Sequence, residues 1–338
     1  MKGRGGKISW NIAGQDVFIS SKDRQPRLTG EVVTVPFVLQ AKTQGKTLTS
    51  GLPTDSSYKK NMKRVSASRW WDLPNTSSPL EAEVNVVKKK PSNKRTAVFF
   101  TGGVDSFYIL KSNLDNVDLL VNVQGFDIPL TDASRLRKME KLLKKVGKAL
   151  GKETVTVTTN LRSHHLFKSL EWGKHTHVSA LAMVAHSLKH HASTFLIAGS
   201  SGLTRPWGSH PSMDGLWGGG DLVIKTDSFP RIGKVHKLIS WDIAKNNLKV
   251  CWENKKNAWN CGRCEKCLRT EMEFLVYGVR PPTFPSTPVE ARLMNNKFEI
   301  RKGGILAEWK NVYKKGGWDI KSLLRNWCAK HGKGEVLW

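Results

Sequence analysis

The sequence predicts an α/β fold in which a parallel sheet is covered by helices on both faces. From Thr96 onward, short apolar segments alternate with longer segments of helical periodicity, which is the pattern of strand–helix–strand units. The predicted strands are Ala97–Phe100, Leu119–Val123, Thr154–Thr158 and Thr194–Ala198. Because ligands of such sheets bind at the carboxyl ends of the strands, the residues after each strand are the first candidates for a site.

Asp132–Leu150 is the clearest of the predicted helices between these strands. Its apolar residues recur at helical spacing, at Leu136, Met139, Leu142, Leu143, Val146 and Leu150. Thr131 or Asp132 is suited to cap its first turn, and Gly151 is suited to end it in a left-handed conformation.

Residues 1–95 predict a smaller, β-rich N-terminal domain. Two segments, Val17–Ser20 and Glu31–Leu39, are rich in β-branched and apolar residues and are separated by turn formers. Ser57–Trp71 has helical periodicity, whereas Glu81–Val87 alternates as a half-buried strand does. On the predicted helix, one face carries Met62, Val65 and Ser66.

The rest of the chain is predicted to form a larger domain at 96–280 and a helical C-terminal tail at 281–338 that packs on it. No run of 18 apolar residues is present, and the basic start of the chain is not followed by an apolar stretch. We therefore expect a cytoplasmic protein that neither spans a membrane nor carries a secretory signal.

The charge balance is strongly basic. Lys and Arg total 55 against 28 Asp and Glu, so the formal net charge is +27, and the excess is spread along the whole chain. A field of this size attracts polyanions such as nucleic acids or nucleotides. The alternative is that the charge serves only solubility.

A glycine-rich turn directly follows the first predicted strand. It reads Thr101-Gly102-Gly103-Val104-Asp105-Ser106 and leads into a predicted helix. The glycines let the backbone approach a ligand closely, and the helix start directs free N–H groups and a positive dipole end at that ligand. Thr101 and Ser106 can add hydroxyl donors, while Asp105 can hold Mg²⁺ or fix the loop. The turn predicts a pyrophosphate site; an ordinary turn capped by Ser106 is the alternative.

The string Phe-Thr-Gly-Gly-Val-Asp-Ser at 100–106 resembles the Ser-Gly-Gly-x-Asp-Ser signature of the N-type ATP pyrophosphatases, with Thr101 replacing the first Ser. Members of that superfamily transfer AMP to a substrate oxygen, release pyrophosphate and let a nucleophile displace the AMP. The resemblance implies a five-stranded parallel sheet of the HUP type, with ATP and Mg²⁺ as cofactors. It also implies that Thr101–Ser106 bind the nucleotide and that Asp105 and Ser106 are catalytic.

Four of the five cysteines are closely spaced, as Cys251, Cys261, Cys264 and Cys267. Four soft ligands at this spacing can surround one tetrahedral Zn²⁺, and Gly262 permits the tight turn between the first close pair. Because four thiolates leave no open coordination position, the predicted zinc site is structural. An iron–sulfur cluster or a group of reduced cysteines is the alternative. Cys328 is expected to be a buried thiol.

A phosphate loop near the front of the domain and four cysteines near its end are together similar to 7-cyano-7-deazaguanine synthases. The run Asn-Cys-Gly-Arg-Cys-Glu-Lys-Cys-Leu-Arg at 260–269 looks more like a branch of synthase-like proteins that carry a β-rich N-terminal extension. The similarity covers roughly residues 96–280 by motif. The segment after the second strand differs from the Tyr-Gly-Gln type segment of the synthases, because it reads Gln124-Gly125-Phe126-Asp127.

Residues after the other strands supply further cofactor-binding candidates. Gln124, Gly125 and Asp127 are expected on the ligand rim, although Asp127 could instead cap the next helix. Gly199 and Ser200 are expected to line the adenylate through backbone N–H groups, with a flexible turn as the alternative.

The stretch from Arg205 to Trp217 is too long and chemically rich for a simple connection. Its candidates for substrate recognition are Arg205, Trp207, His210 and Trp217, with a tryptophan ring stacking on a planar group. Asp214 is a candidate for acid–base work, and a packed surface loop is the alternative. A further pocket candidate is His177.

Two cations follow in the segment that opens the next helix. Lys234 resembles the basic residue that neutralises charge on the phosphates in this superfamily, and Arg231 is a substrate-binding candidate. Solvated surface charge is the alternative for both. His186 and His190 lie four residues apart, but the sequence offers no third metal ligand beside them.

The sequence therefore predicts an ATP-dependent enzyme that adenylates a carboxylate or amide oxygen of a small-molecule or protein-borne substrate. Amidation, nitrile formation or ligation would follow. One alternative is an enzyme of the same superfamily that modifies a nucleobase in tRNA or DNA and holds the polymer on its basic surface. Another is a nucleotide-binding module without catalytic activity.

Overall fold

The computed structural model describes residues 5–74, 80–85, 93–199, 207–255, 258–300 and 303–332. The chain divides into two compact units. Unit 1 comprises Met1–Phe100 and Ile109–Ser228, and unit 2 comprises Thr101–Tyr108 and Phe229–Trp338. The glycine-rich turn therefore belongs to the unit that contains the four cysteines.

Unit 1 is built on a mixed sheet that has seven strands among the described residues. The strands of the chain are β1 (Gly6–Ile12), β2 (Gln15–Ser21), β3 (Leu48–Asp55), β4 (Leu80–Asn85), β5 (Thr96–Phe99), β6 (Leu119–Gln124), β7 (Glu153–Thr159), β8 (Thr194–Ile197) and β9 (Val223–Thr226). The sheet order is β1-β2-β7-β6-β5-β8-β9, and β3 pairs with β4 in a separate parallel pair.

Five neighbouring strands, β7-β6-β5-β8-β9, are parallel, whereas the hairpin β1–β2 joins β7 in antiparallel pairing. The chain runs outward from β5 on one side and then returns to build the other side. Strand β5 is thus where the strand order reverses, and such a point is where open α/β sheets bind their ligands.

The predicted sheet is confirmed in part. Its five parallel strands are present, and a hairpin from the N-terminal segment extends the sheet to seven strands among the described residues. Each of the four strands predicted after Thr96 begins and ends within one residue of the ends of an observed strand. Strand β9 was not predicted, because Val223–Thr226 contains a lysine and is only partly buried.

The helices are α1 (Gly30–Thr34), α2 (Val38–Gln44), α3 (Ser56–Ala67), α4 (Val104–Ser112), α5 (Ala133–Leu150), α6 (His165–Lys168), α7 (His177–Leu188), α8 (Pro211–Asp214), α9 (Arg231–Leu238), α10 (Asp242–Lys245), α11 (Glu265–Leu275), α12 (Val289–Met294), α13 (Gly304–Lys315) and α14 (Trp318–Lys330). None of those in the described part of the chain combines the length and apolar character needed to cross a membrane. A single π-type turn, Trp172–Thr176, leads into α7.

Helix α5 confirms the predicted caps. The Asp132 side chain accepts a hydrogen bond from Arg135 N, and Gly151 ends the helix with φ +66°. Asp127 therefore does not cap this helix. In α3, the residues predicted to face inward are buried together with Tyr58.

The predicted strand at Glu31–Leu39 is wrong, because this segment is helical. It forms α1, a short 3-10 turn and α2, and the Thr29 hydroxyl caps the start by accepting from Val32 N at 3.4 Å. Most of the segment is buried, so apolar residues occupy every side and give no periodicity that would separate a helix from a strand. Its helices share one hydrophobic core with the sheet of unit 1.

Unit 2 has a separate hydrophobic core formed by the helices α11 to α14. Its fully buried side chains include Leu268, Met272, Trp309, Leu324 and Trp327. Cys328 belongs to this core, as the sequence predicted for a buried thiol.

Candidate functional site

The glycine-rich turn of unit 2 leaves several amide groups without an acceptor. Gly102 has φ +74°, a left-handed conformation that favours glycine. Among the described residues, the N–H groups of Gly102, Gly103 and Val104 have no hydrogen-bond acceptor, and α4 begins at Val104. A turn of this kind directs unpaired donors and the positive end of a helix dipole at one place.

Ser106 braces the turn from inside. Its buried hydroxyl donates to Gly103 O at 3.0 Å and accepts from Thr101 N at 3.4 Å. The Thr101 side chain is exposed and its hydroxyl also lies 3.4 Å from Ser106 Oγ. The hydroxyl of Ser106 is therefore engaged in holding the loop, whereas Thr101 presents its hydroxyl at the surface.

Asp105 binds the two cations that the sequence singled out on α9. Its Oδ2 accepts from Arg231 Nη1 at 2.8 Å, and its Oδ1 lies 3.2 Å from Lys234 Nζ. Burial alone would raise the pKa of Asp105, but the nearby positive charges, chiefly Arg231 and Lys234, outweigh it and lower the pKa to about 2. Because both carboxylate oxygens face cations, Asp105 fixes the loop and α9 in this arrangement.

Lys234 is completely buried, although a lysine is normally exposed. Its Nζ lies 5.5 Å from the centre of the Tyr108 ring in addition to its contact with Asp105. Tyr108 in turn stacks on Phe229, with ring centres 5.2 Å apart. Arg231 and Lys234 are thus parts of a packed site and not solvated surface charges.

Arg231 is also held from the opposite end by α11. Its Nε donates to both oxygens of Glu273 at 3.0–3.1 Å, and its Nη2 donates to Thr270 Oγ1 at 2.8 Å. Glu273 additionally accepts from Arg269 Nη1 at 3.2 Å, and Arg269 pairs with Glu265 and Glu308. Buried cations and anions alternate in this network, so each ion has a partner.

Sequence reasoning missed Thr270, Glu273 and Arg269. A signal was present, because Glu265, Arg269 and Glu273 are spaced four residues apart, starting directly after Cys264. On a helix this spacing places alternating charges along one face. The signal indicated an ion-paired helix but could not identify Arg231 as its partner.

The four predicted metal ligands are brought together in unit 2. The Sγ atoms of Cys251, Cys261, Cys264 and Cys267 all lie within 4.8 Å of one another, and the Cys261 and Cys267 sulfurs are 3.9 Å apart. Zinc–sulfur bonds of about 2.3 Å in a tetrahedron require sulfur separations of about 3.8 Å. The cluster can therefore hold a zinc ion through four thiolates.

Backbone amides shape the cysteine cluster. Cys264 N donates to Cys261 Sγ at 3.3 Å, and Cys267 N donates to Cys264 Sγ at 3.4 Å, so Cys264 also caps α11. Gly262 has φ +63°, and a Cβ there would lie 2.5 Å from Arg292 Nη1. The glycine is thus required by both its backbone conformation and its close packing.

The candidates of unit 1 at the end of β6 are tightly packed. Gln124 Oε1 accepts from Thr158 Oγ1 at 3.3 Å, and Gly125 has φ +97° with its Cα close to Thr159 O. Asp127 is exposed, and its charge acts to raise the pKa of His177 against the larger, lowering effect of burial.

The Gly199 amide is not available to a phosphate, because it donates to Asp227 Oδ1 at 2.8 Å. A Cβ at this position would lie 2.0 Å from Asp227 O, so the glycine allows the two backbones to pack closely. Ser200 and Arg205 lie outside the described residues.

Three of the predicted substrate-binding residues, His177, Trp207 and His210, each contact Trp70 or Trp172. The His210 ring centre is 4.1 Å from that of Trp70, and Trp70 Nε1 donates to Trp207 O at 3.0 Å. His177 Nδ1 lies 3.2 Å from Trp172 O. Trp207 is 44% exposed, so its ring is accessible to a planar ligand.

Asp214 and Trp217 are both buried. One Asp214 oxygen accepts from His210 N at 2.9 Å. Burial raises the pKa of Asp214 to about 7, although the His210 amide and the Thr226 side chain lie close enough to the carboxyl to act to lower it. Trp217 is fully buried against Trp71, with ring centres 5.7 Å apart, which leaves no ring face for a ligand. His186 Nε2 lies 2.9 Å from Trp217 O, a structural contact and not a metal site.

The arrangement in unit 2 combines unpaired amide donors, a helix start and two buried cations around Asp105. Such a combination stabilises negative charge on a phosphate group. Comparisons with protein-family models, with curated proteins and with solved structures found no match for this chain.

Proposed function

We propose that this chain is an ATP-dependent enzyme that adenylates a carboxylate or amide oxygen and releases pyrophosphate. The observation that carries the proposal is the loop of unit 2, where unpaired amides of Gly102 to Val104 adjoin Asp105 and its two cations. Thr101–Ser106 would hold the β- and γ-phosphates of MgATP, with Lys234 and Arg231 stabilising charge that develops on the leaving pyrophosphate. Amidation, nitrile formation or ligation of the activated oxygen would complete the reaction, as in the synthases that the motifs resemble.

The cysteine cluster would carry Zn²⁺ in this proposal. The ion supplies a tetrahedral cross-link and no open position for substrate, so its role would be structural. In unit 1, the exposed indole of Trp207 is a separate candidate for binding a planar ligand by stacking.

Gly103→Ala tests the phosphate loop without disturbing it. A Cβ on Gly103 would meet its nearest atoms at 3.5 and 3.8 Å, which is ordinary contact, and its φ is outside the left-handed region. A phosphate bound on the amides would, however, meet the added methyl group. We expect at least about tenfold weaker MgATP binding by calorimetry, since about 1.4 kcal/mol corresponds to a factor of ten.

Gly215→Ala is the matched control, because its added Cβ would meet one atom at 3.8 Å in a short turn of unit 1. Equal MgATP affinity of both variants and the unchanged protein would show that the loop is not the nucleotide site. Tight binding without AMP formation under any acceptor would instead favour a non-catalytic nucleotide-binding module.

A second candidate function, modification of a nucleobase in RNA or DNA, is favoured by the surface of α13 and α14. Residues 304–332 contain six basic residues (Lys or Arg) and two acidic ones. One of the acidic residues, Glu308, pairs with Arg269. Trp318 is 77% exposed at the start of α14. Lys321 and Arg325 lie 6.0 and 5.6 Å from the Tyr313 ring.

Beside α13 lies a groove of about 540 Å³, lined by Val276, Tyr277, Asn311, Lys314 and Lys315. Cations interleaved with aromatic rings suit single-stranded nucleic acid, whose bases stack and whose phosphates pair with lysines. The double variant Lys314→Ala/Lys315→Ala should bind a single-stranded RNA with a weaker salt dependence. The slope of the logarithm of the binding constant against the logarithm of the salt concentration should become shallower by about 0.7 for each lost phosphate contact.

Lys144→Ala/Lys145→Ala on α5 is the control, because it also removes two adjacent exposed lysines. An equal decrease of this slope in both double variants would indicate that the RNA is attracted by the overall positive charge and not by a defined surface. If single-stranded RNA also stimulates AMP formation from ATP, the polymer is the substrate and not only a ligand.

A further inference from the structure

The phosphate loop is bonded to the cysteine cluster through two separate routes within unit 2. In the first, Lys249 N donates to Gly102 O at 2.8 Å, directly fixing the loop backbone. The side chain of the same residue donates to Cys251 O at 2.5 Å. The first cysteine ligand is therefore two residues away from the residue that holds Gly102.

The second route runs along α11. Cys264 caps this helix and Cys267 lies in its first turn, so two of the four ligands fix its start. Thr270 and Glu273 follow Cys267 at steps of three residues, and both accept hydrogen bonds from Arg231. Arg231 then donates to Asp105 in the loop. A ligand-bearing helix thus positions the guanidinium group that holds the loop carboxylate.

The two routes begin at different ligands. Cys251 lies on an irregular segment, whereas Cys264 and Cys267 belong to the helix start. Asn260 connects these parts by hydrogen bonds to Val250 N and Leu248 O, at 2.8 and 3.0 Å. A metal ion bound by all four sulfurs would join the Cys251 segment to the start of α11 through metal–sulfur bonds. It would thereby fix the distance between Lys249, which holds Gly102, and the helix that holds Arg231 and, through it, Asp105.

We propose that Lys249, Arg231 and Glu273 are positioning residues through which a metal ion in the cysteine cluster orders the phosphate loop. No cysteine needs to touch the nucleotide for this effect. Without the metal, the loop amides would still be present, but their N–H groups would no longer be held in one orientation. A preorganised set of donors depends on such fixed orientations. The part of the proposal that concerns nucleotide affinity rests on the proposed function, whereas the ordering of the loop does not.

Hydrogen exchange measured by mass spectrometry on the full chain tests the ordering of the loop without any nucleotide. We expect the hydrogen-bonded amides in peptides covering 101–108, such as those of Thr101 and Phe107, to exchange about tenfold faster after the metal is removed by a chelator. Peptides covering 119–124, in β6, should keep their protection. Unchanged exchange at 101–108 in metal-free protein that retains its β6 protection would overturn the proposal.

Glu273→Gln separates this positioning role from loss of the metal or of the fold. It removes the charge that holds Arg231 while leaving all four sulfurs in place. We expect one metal ion per chain, faster exchange at 101–108 and MgATP affinity weaker by about tenfold. Glu273→Asp, which keeps the charge, should recover part of the affinity.

Glu271→Gln is the matched control on the same helix. Glu271 is also buried, but it pairs with Arg292 at 2.5 Å and not with Arg231. Arg292 also donates to Gly262 O in the cysteine cluster, so the comparison is made on variants that both retain one metal ion per chain. Equal effects of these two metal-bound variants on loop exchange would contradict the proposal, even if chelation unfolds the whole chain. If the unchanged protein binds no MgATP, the proposed function fails, and the exchange result still decides the ordering of the loop.

Discussion

Arg231 and Asp105 lie 126 positions apart in the chain, yet their side chains form a hydrogen-bonded ion pair of 2.8 Å. The pair joins α9 to the first turn of α4, and Lys234 supplies the second cation one helical turn later. Removing the carboxylate would leave two buried cations without their shared partner.

Asp105→Asn keeps the size of the side chain and removes its charge. We expect the free energy of unfolding in urea to fall by about 1–3 kcal/mol, because an unpaired buried charge is costly. MgATP binding should weaken together with stability, since the loop loses its anchor to α9. Asp242→Asn is the control: Asp242 is 79% exposed and its ion pair in the described part of the chain is with Lys245, so its change should cost less than about 0.5 kcal/mol.

The same substitution should change the response to acid. The pKa of Asp105 in the folded chain is about 2, below its ordinary value of 3.8, so its stabilising contribution is present above pH 4. That contribution is lost as the pH falls from 4 to 2. The stability difference between the unchanged protein and Asp105→Asn should therefore narrow over this range, and a constant difference would refute the ion pair.

Removal of one thiol should remove the metal. Cys267→Ser is expected to lower the zinc content from one ion per chain to near zero, measured by plasma mass spectrometry, and to lower the melting temperature. Cys328→Ser is the control, because Cys328 is buried in the helical core of unit 2 and is not part of the cluster. Cys328→Ser should lower the stability but retain the zinc. If Cys328→Ser also lost the zinc, the loss in Cys267→Ser would reflect a disturbed fold and not the removal of a metal ligand.

Asp214→Asn should make stability less dependent on pH. In the folded chain the pKa of Asp214 is about 7, above its ordinary value of 3.8, so the folded state binds the proton more tightly. Folding stability therefore falls as the pH rises from about 4 to 7. At 1.36 kcal/mol per pKa unit, this decline amounts to roughly 4 kcal/mol, and Asp214→Asn should remove most of it.

Urea titrations at pH 4.5 and pH 8 measure this difference. The Asn variant should be relatively more stable than the unchanged protein at the higher pH, because a neutral amide avoids burying a charge. Equal pH dependence of the two proteins would mean that the Asp214 carboxyl reaches solvent or a cation.

Gly125→Ala should destabilise the end of β6. Its φ is +97°, and a Cβ would lie 2.0 Å from Thr159 O on the neighbouring strand β7. We expect a loss of about 2–4 kcal/mol in the free energy of unfolding, from backbone strain and the clash together. Gly51→Ala in β3, where an added Cβ meets nothing within 4 Å, should change it by less than about 0.5 kcal/mol.

The sequence predicted most of the parallel sheet because its strands are short apolar runs bounded by helices of clear periodicity. It also predicted the cysteine cluster, since four ligands with metal-binding spacing need little long-range information. It failed at Glu31–Leu39, where burial on all sides removes the periodicity. Pairing of Ile19, Ser20 and Ser21 with β7 depends on backbone hydrogen bonds that side-chain patterns do not encode.

Within the candidate site, the loop and Lys234 could be identified by motif, but the ion-pair partners could not. Arg231 contacts Glu273 across 42 positions, and a charged residue at either place is compatible with a solvated surface. Trp217 illustrates the opposite error. Its position in a long, polar segment suggested a ligand platform, but packing on Trp71 decides its role.

The N-terminal hairpin has a consequence for how the chain behaves when it is shortened. Ile19 to Ser21 pair with β7, and Asp23 Oδ2 accepts from Thr156 N at 2.8 Å, so the outer backbone of β7 is covered. A chain lacking its first 23 residues would present that row of donors and acceptors to any other extended strand. Two such chains could then join through their uncovered β7 borders.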